Sequence, residues 1–140
     1  MSISARNRLD VEISNVKTGA INSLITAKLK NGEILKATIS VSSEKNLELK
    51  IGKKAVFLFE ASNVVVAKDG NLKLSATNQI SGTISKIIDT ATNSKIIIDI
   101  KDDQISALIT KSSCKKLALK TGDKVTAIIK TSQIIVGVKV

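Results

Sequence analysis

Hydrophobic and polar residues alternate along three short segments near the start of the chain. The segments 9–14, 25–29 and 35–39 carry Ile, Leu, Val or Ala at every second position. Because alternate residues of a strand lie on the same face of a sheet, this pattern predicts three half-buried β-strands. Asn31-Gly32 lies between the second and third segments and predicts a tight turn. The three strands are therefore expected to form a meander.

A short helix and two more strands are predicted to follow the meander. Ser42-Ser43 provide a helix N-cap signal, and Gly52 provides the signal that ends the helix. Val56 and Leu58 then predict a fourth strand, and the segment 64–66 predicts a fifth. Five strands with one short helix between the third and fourth is the plan of a small OB-like Greek-key barrel.

The same predicted order of strands and helix occurs twice along the chain. The segment Ser4–Leu9 returns as Ser75–Ile80, and the later positions follow in step after the loss of one residue near Asp102-Asp103. The tandem match predicts an all-β chain of two five-stranded Greek-key barrels, each with one short helix, at residues 1–69 and 70–140. Lys68 to Asn71 form a polar hinge between them.

The composition restricts how such small barrels are stabilised. Hydrophobic residues make up 43% of the chain and aromatic residues 1%, so the core must consist of aliphatic side chains. Phe57 and Phe59 are expected in this core rather than on a base-stacking surface, since the second copy has Ala127 and Ile129 at these positions. A unit of about 70 residues has a marginal core, and each barrel is therefore expected to pack against another.

Few residues are available for catalysis. The chain has no histidine, one cysteine and one methionine, which argues against His-based acid–base chemistry, paired-thiol redox chemistry and His/Cys metal sites. Cys114, next to two lysines, could be a reactive thiol but is interpreted as incidental. We therefore expect a protein that is not an enzyme.

The charge indicates the kind of partner. Lys and Arg total 22 against 12 acidic residues, a net charge of +10, which favours an anion or an anionic surface, although simple solvation of lysines explains it as well. No apolar run approaches the roughly 20 residues of a membrane span, and the chain does not open like a signal peptide. A cytoplasmic protein without a membrane partner is expected.

Three motifs resemble those of a known family. They are Ser-Ala-Arg-Asn at 4–7, Ile-Ser-x-x-Ser at 39–43 and Lys-Thr-Ser at 130–132. Together they resemble the Mop, or molbindin, domains of the TOBE class over essentially the whole chain. The resemblance implies binding of molybdate or tungstate, as in storage proteins and in the sensor half of molybdate-responsive regulators. It also implies symmetric homo-oligomers with oxyanions between the barrels, and the small Ile- and Val-rich barrels lead us to expect a dimer or trimer of the tandem chain.

The chemistry of a tetrahedral dianion fits these motifs. Its oxygens only accept hydrogen bonds, so its site needs converging N–H and O–H donors, one or two cations and no carboxylate, and the metal is bound only as the oxyanion. The candidate oxyanion-binding residues are Ser4, Ala5, Arg6, Asn7, Ser40, Ser43, Ser75, Ala76, Asn78, Thr110, Ser113, Lys130, Thr131 and Ser132. The structural alternative is that Ser43 and Ser113 are helix caps and that Asn7 and Asn78 are turn residues.

The two copies carry different charges at two equivalent positions near these motifs. Arg6 corresponds to Thr77, and Glu60 corresponds to Lys130, so neither copy holds both cations. Exchange of strands or neighbours could join Ser4–Asn7 to Lys130–Ser132 in one complete site. Sites built from one copy alone are the alternative, and the sequence leaves both open.

A second candidate locus lies between the first two strands of each copy. The resemblance implies that this loop can contribute a further oxyanion site, although a plain turn is the favoured interpretation. Its residues are Gly19, Ala20, Ile21, Asn22, Ala91 and Asn93.

The function expected from the sequence is reversible binding of molybdate or tungstate for storage, homeostasis or sensing. The alternative is an OB-fold nucleic-acid-binding module, favoured by the charge and the barrel but not by the scarcity of aromatic residues. No helix-turn-helix segment precedes Ser4, so direct contact of this chain with nucleic acid is not expected. The oligomer order and the preference between the two oxyanions are left open.

Overall fold

The computed structural model describes residues 2–70 and 72–140, and within them the chain is built mainly of β-strands. The first repeat contains β1 Asn7–Thr18, β2 Asn22–Lys28, β3 Ile34–Ser40, α1 Val41–Asn46, β4 Lys54–Phe59 and β5 Val65–Ala67, and the second contains β6 Asn78–Asp89, β7 Asn93–Asp99, β8 Gln104–Thr110, α2 Lys111–Lys116, β9 Lys124–Ile129 and β10 Ile135–Gly137. Single 3-10 turns at Ala61–Asn63 and Thr131–Gln133 precede β5 and β10. The predicted all-β fold is confirmed. Asn71, the last residue of the predicted hinge, lies outside the described residues.

The last strand of each repeat belongs to the sheet of the other repeat. One sheet has the order β10-β4-β1-β2-β3, and the other has the order β5-β9-β6-β7-β8. Ile135 of β10 pairs with Leu58 of β4, and Val65 of β5 pairs with Ile128 of β9. Each sheet is therefore completed by the other copy. The division of the chain into domains at residues 1–69 and 70–140 stays a prediction.

The alternation in the sequence sets which face of each strand is buried. Leu9, Val11 and Ile13 lie inside, while the residues between them are exposed. β1 pairs with both β2 and β4, and a bulge between Ile13 and Asn15 shifts its register against β2. Phe57 is fully buried, which confirms the prediction that it belongs to the core. A single cluster of buried hydrophobic side chains runs through both sheets, as expected for sheets that share strands.

The helices are shorter than the sequence predicts. Gly52 and Gly122 lie well beyond the ends of α1 and α2, because Glu48 and Ala118 adopt left-handed conformations with φ of 52° and 49°. This conformation stops an α-helix. The N-cap of α1 is Ser40, whose hydroxyl accepts a backbone hydrogen bond from the first helical turn. The prediction of an N-cap at Ser42-Ser43 is therefore wrong, because the cap is Ser40.

The two sheets exchange large and small residues at equivalent positions. Val11 and Ala27 of the first repeat correspond to Gly82 and Ile98 of the second. A Cβ atom at Gly82 would lie 2.5 Å from the Cγ2 atom of Ile98, closer than atoms can approach. The glycine therefore makes room for the larger isoleucine, and the core keeps its volume.

A lysine ammonium group covers the C-terminal end of each helix, but it comes from different places. Lys53 donates to the carbonyl oxygen of Leu47 at 2.8 Å. In the second repeat Lys68, which follows the exchanged strand β5, donates to the carbonyl oxygen of Leu117 at 3.2 Å and pairs with Asp123 at 3.1 Å. Cations stabilise the C-terminal ends of helices. Lys68 thus fastens the end of β5 to the opposite repeat.

Candidate functional site

The first Ser-Ala-Arg-Asn motif lies beside the end of β4. Asn7 pairs with Phe59, so Arg6 and Glu60 are the next residues of these two neighbouring strands. We call the segments 4–6 and 60–62 together the Glu60 end of the molecule. It places a carboxylate on the strand next to the arginine.

The second copy of the motif lies in the same way beside the end of β9. Asn78 pairs with Ile129, which makes Thr77 and Lys130 the next residues of their strands. The segments 75–77 and 130–132 form the Lys130 end. Within one chain, the exchange of strands therefore does not join Ser4–Asn7 to Lys130–Ser132, because the chain crosses to the other sheet only after these segments.

Each end also faces the third strand of the other repeat. The turn Thr131–Gln133 packs against β3, and Thr38 Oγ1 donates a hydrogen bond to Thr131 Oγ1 at 2.8 Å. At the Glu60 end, Leu108 and Ala61 stand at the equivalent positions. Thr38 lies outside the motifs that the sequence predicts to bind the oxyanion. The replacement of threonine by leucine between the repeats was the available signal.

Ser40 and Thr110 are the N-caps of α1 and α2, and the alternative that Ser43 and Ser113 are the caps is wrong because both lie within the first helical turn. Ser40 Oγ accepts from the backbone N–H of Ser43 at 3.0 Å and donates to Ser43 Oγ at 2.9 Å. Thr110 and Ser113 make the same contacts. Ser40 and Ser43 also line a groove of about 500 Å³ together with residues 134–136 of the second repeat. They therefore belong to the same side of the molecule as the Lys130 end.

The two motif asparagines connect the halves of the molecule. Both are about 2% exposed. Asn7 Nδ2 donates to the carbonyl oxygen of Ser106 at 2.9 Å, and its Oδ1 accepts from the N–H of Ser106 at 2.7 Å. Asn78 makes the same two contacts with the backbone of Lys36, each at 2.8 Å. Each amide thus joins the two repeats from within a strand, so the alternative that Asn7 and Asn78 are turn residues is wrong, and their role as oxyanion donors stays a prediction.

The remaining candidate donors lie at the surface. The side chains of Ser4, Arg6, Ser75, Lys130 and Ser132 are exposed, while the small Ala5 and Ala76 are half-buried. Within residues 2–70 and 72–140, the ion pairs closer than 4 Å involve neither arginine nor the lysine of the Lys130 end. The same residues contain no cluster of three or more His, Cys, Asp or Glu side chains that could hold a metal ion. The exposed donors and cations therefore have capacity left for an anion.

The loop between β1 and β2 is a tight turn. The N–H of Gly19 donates to the carbonyl oxygen of Asn22 at 3.0 Å, and the carbonyl oxygen of Ile21 accepts from the N–H of Val41 at 2.9 Å. In the second repeat the carbonyl oxygen of Asn93 accepts from the N–H of Thr90 at 2.8 Å. The other candidates of this locus, Ala20 and Ala91, are exposed. These contacts support the interpretation of this locus as a turn.

A carboxylate lies at the base of the first turn. Glu44 is buried and accepts hydrogen bonds from Ser23 Oγ at 2.6 Å and Thr18 Oγ1 at 2.7 Å. These hydroxyl donors, with the nearby Lys45 ammonium, hold the pKa of Glu44 below its ordinary value. A negative charge in this position opposes the binding of a dianion to the same turn.

The second repeat also has a carboxylate at the base of this turn, but it belongs to a different position of the repeat. Cys114 replaces Glu44, and Asp89 replaces Thr18. Ser94 Oγ donates to Asp89 Oδ1 at 2.6 Å. Cys114 is buried, so it acts here as a small apolar residue, in line with the interpretation that it is incidental.

Comparisons with known proteins identify the family. The TOBE domain model matches the chain twice, over residues 3–66 and 74–136. The chain belongs to the TOBE-domain family. Neither helix of this TOBE-domain chain within residues 2–70 and 72–140 is long and apolar enough to cross a membrane.

Related TOBE-domain proteins are named for molybdenum. The chain is 30% identical over 139 residues to the molybdenum transport protein ModE of Azotobacter vinelandii, covering 99% of this chain and 52% of that protein. It is 32% identical over 139 residues to the molybdenum-pterin-binding protein MopA of Rhodobacter capsulatus, covering 98% and 52%. The chain thus spans about half the length of these curated relatives. A solved structure of the cytoplasmic molybdate-binding protein ModG, with molybdate bound, is 33% identical and superposes with a TM-score of 0.96, covering 99% of this chain and 100% of that one.

Proposed function

We propose that this TOBE-domain chain reversibly binds molybdate or tungstate, without catalysis, for storage, homeostasis or sensing. The observation that carries the proposal is the arrangement at each end of the molecule, where exposed hydroxyl groups and an exposed cation surround the start of β1 or β6. The names of the relatives and the bound molybdate in the ModG structure support it.

The donor set suits a fully deprotonated oxyanion. The side chains of Ser75, Thr77, Lys130, Thr131 and Ser132 can all donate hydrogen bonds. Molybdate and tungstate carry two charges near neutral pH and offer only acceptor oxygens, whereas phosphate carries a proton that needs an acceptor, and at the Lys130 end only the hydroxyl oxygens could supply one. Selection against sulfate, also a dianion, would rest on its smaller size. The remaining candidates, Ser4, Ala5, Arg6, Ser40, Ser43, Ala76, Thr110 and Ser113, supply further hydroxyl, backbone or guanidinium donors to the two ends.

The surface position of these donors supports a homo-oligomer. A dianion on the surface of a single chain keeps most of its hydration, and exposed charge pairs contribute little free energy. A neighbouring chain that covers the site would exclude water and strengthen the same contacts. We therefore include in the proposal a symmetric dimer or trimer with oxyanions near the chain-to-chain contacts.

Nucleic-acid binding is the rival function. Its support is the net charge of +10. Single-strand binding by barrels of this type uses exposed aromatic side chains as stacking surfaces, and both phenylalanines are buried in the core, at 0% and 1% exposure. We propose that this chain makes no direct contact with nucleic acid. A cytoplasmic location is part of the proposal, by similarity to ModG.

Calorimetric titration of the full chain tests the proposal. Molybdate and tungstate should release or absorb heat with saturation, and sulfate, phosphate and single-stranded DNA at equal concentration should bind much more weakly. Light scattering on the same sample should give the mass of a dimer or trimer. Tight binding of DNA without a response to molybdate would replace the proposal with its rival.

A further inference from the structure

The two ends of the molecule share a backbone plan but not a donor set. At the Lys130 end, the Thr38 and Thr131 hydroxyls form a hydrogen bond at 2.8 Å beside the lysine. At the equivalent positions of the Glu60 end stand Leu108, Ala61 and a carboxylate. The side chain of Leu108 cannot donate, and Ala61 is 4% exposed.

We propose that the Lys130 end is the oxyanion-binding end, and that Thr38 positions the Thr131 hydroxyl for this task; the inference rests on the proposed function. A hydroxyl group has one proton to donate. The 2.8 Å contact between the two Oγ1 atoms holds the Thr131 side chain in place, and when Thr38 is the donor in this contact the Thr131 proton is available to an oxyanion. Thr38 thus acts through Thr131 and belongs to the opposite repeat.

Electrostatics also favours binding of a dianion at the Lys130 end over the Glu60 end. A carboxylate near a bound dianion repels it, and the repulsion grows as water is excluded. At the Glu60 end this repulsion offsets the attraction of Arg6, which lies on the neighbouring strand. At the Lys130 end the neighbour of the lysine is Thr77, a neutral donor. Only the Lys130 end combines a cation with uncharged donors, and one strong oxyanion site per chain follows.

The first test uses substitutions that change a hydroxyl group and little else. Thr38→Val keeps the shape of the side chain and removes the hydroxyl, and Thr38→Ser keeps the hydroxyl. In calorimetric titrations of the full chain, Thr38→Val should weaken molybdate binding up to about tenfold, because the Thr131 hydroxyl is no longer positioned and its hydrogen bond to the charged ligand is lost. Thr38→Ser should bind like the unmodified chain. Leu108→Val, at the equivalent position of the other end, is the matched control and should also bind normally.

The second test attempts the reverse change. Glu60→Lys with Ala61→Thr reproduces Lys130-Thr131 at the Glu60 end and should raise the number of molybdate ions bound per chain from one toward two. Glu60→Lys alone changes only an exposed residue and should move the stoichiometry in the same direction if folding of the double variant is impaired.

The outcomes separate the inference from the function on which it rests. No molybdate binding by the unmodified chain overturns both. Normal binding by a folded Thr38→Val variant, or two equal sites in the unmodified chain, overturns this inference and leaves the proposed function standing. Thermal unfolding of each variant shows that a change in affinity is not a loss of folded protein.

Discussion

Replacing Asn7 with alanine should destabilise the whole chain, because this side chain joins the two halves. β8 is an edge strand of its sheet, and Asn7 pairs with the backbone N–H and carbonyl oxygen of Ser106 on that strand. It therefore takes the place that a further strand would occupy. Asn7→Ala removes both hydrogen bonds and leaves two backbone groups without these partners.

The size of the effect follows from burial. Asn7 is about 2% exposed, and its contacts of 2.9 and 2.7 Å have normal geometry. A buried polar group left without a partner costs about 1–3 kcal/mol. Two such groups, one of them partly rehydrated, give an expected loss of about 2–4 kcal/mol. Asn78→Ala should cost a similar amount, since Asn78 makes the equivalent pair of hydrogen bonds with Lys36.

Urea unfolding followed by circular dichroism measures this loss. Asn15→Ala is the matched control, because Asn15 lies exposed on the same strand, and its change should stay below about 0.5 kcal/mol. If Asn7→Ala and Asn15→Ala had equal effects, the bridge would not contribute to stability, and the account of how the halves are joined would be refuted.

Three further predictions concern charged residues. Glu44→Gln should reduce the loss of stability in acid. The lowered pKa of Glu44 contributes stability that is present above the ordinary pKa of a glutamate and is lost as the pH falls through the folded-state pKa. The free energies of unfolding of the variant and of the unmodified chain should therefore converge at acid pH. Lys68→Met should speed amide hydrogen exchange in β5, because it removes the contacts that hold this strand to the other repeat; unchanged exchange would contradict that role. Lys130→Ala should weaken molybdate binding about thirtyfold or more, since it removes a charged partner of a dianion, and Arg6→Ala should weaken it much less. Equal losses in a titration would instead show that the ends of neighbouring chains combine.

Acid should also weaken the ion pair between Lys68 and Asp123, which holds the end of β5 to the second repeat. Burial opposes ionisation of Asp123, but the Lys68 ammonium and the backbone N–H of Lys120 outweigh it and lower the pKa of this carboxyl. The ion pair is therefore formed above the ordinary pKa of an aspartate and is lost as the pH falls through the lower folded-state value. Hydrogen exchange of residues 65–67 should accelerate at that pH in the unmodified chain and should depend less on pH in Lys68→Met.

The strands could be predicted from the sequence because their signal is local. Alternation over 9–14, 25–29 and 35–39 fixes which face of β1, β2 and β3 is buried. The exchange of β5 and β10 could not be predicted in this way. Both strands carry the same alternation, so the pattern alone does not assign either strand to one of the two sheets.

The candidate donors were found by comparing the repeats, but their partners were not. The Ser-Ala-Arg-Asn motif marks both ends of the molecule, yet Asn7 contacts Ser106, which is far away in the sequence. Thr38 escaped notice for the same reason, since Thr131 belongs to the other repeat. Contacts between repeats leave no periodic signal, and only the folded chain reveals them.

Anomalous diffraction at the molybdenum absorption edge shows where the oxyanion binds. Crystals of the full chain grown with molybdate should show a strong anomalous peak within hydrogen-bonding distance of Lys130 and Thr131, and a weak peak or none beside Glu60. A peak only at the Glu60 end would contradict the assignment of the binding end. Crystals grown at saturating molybdate with no anomalous peak on the protein would contradict the proposal of oxyanion binding itself.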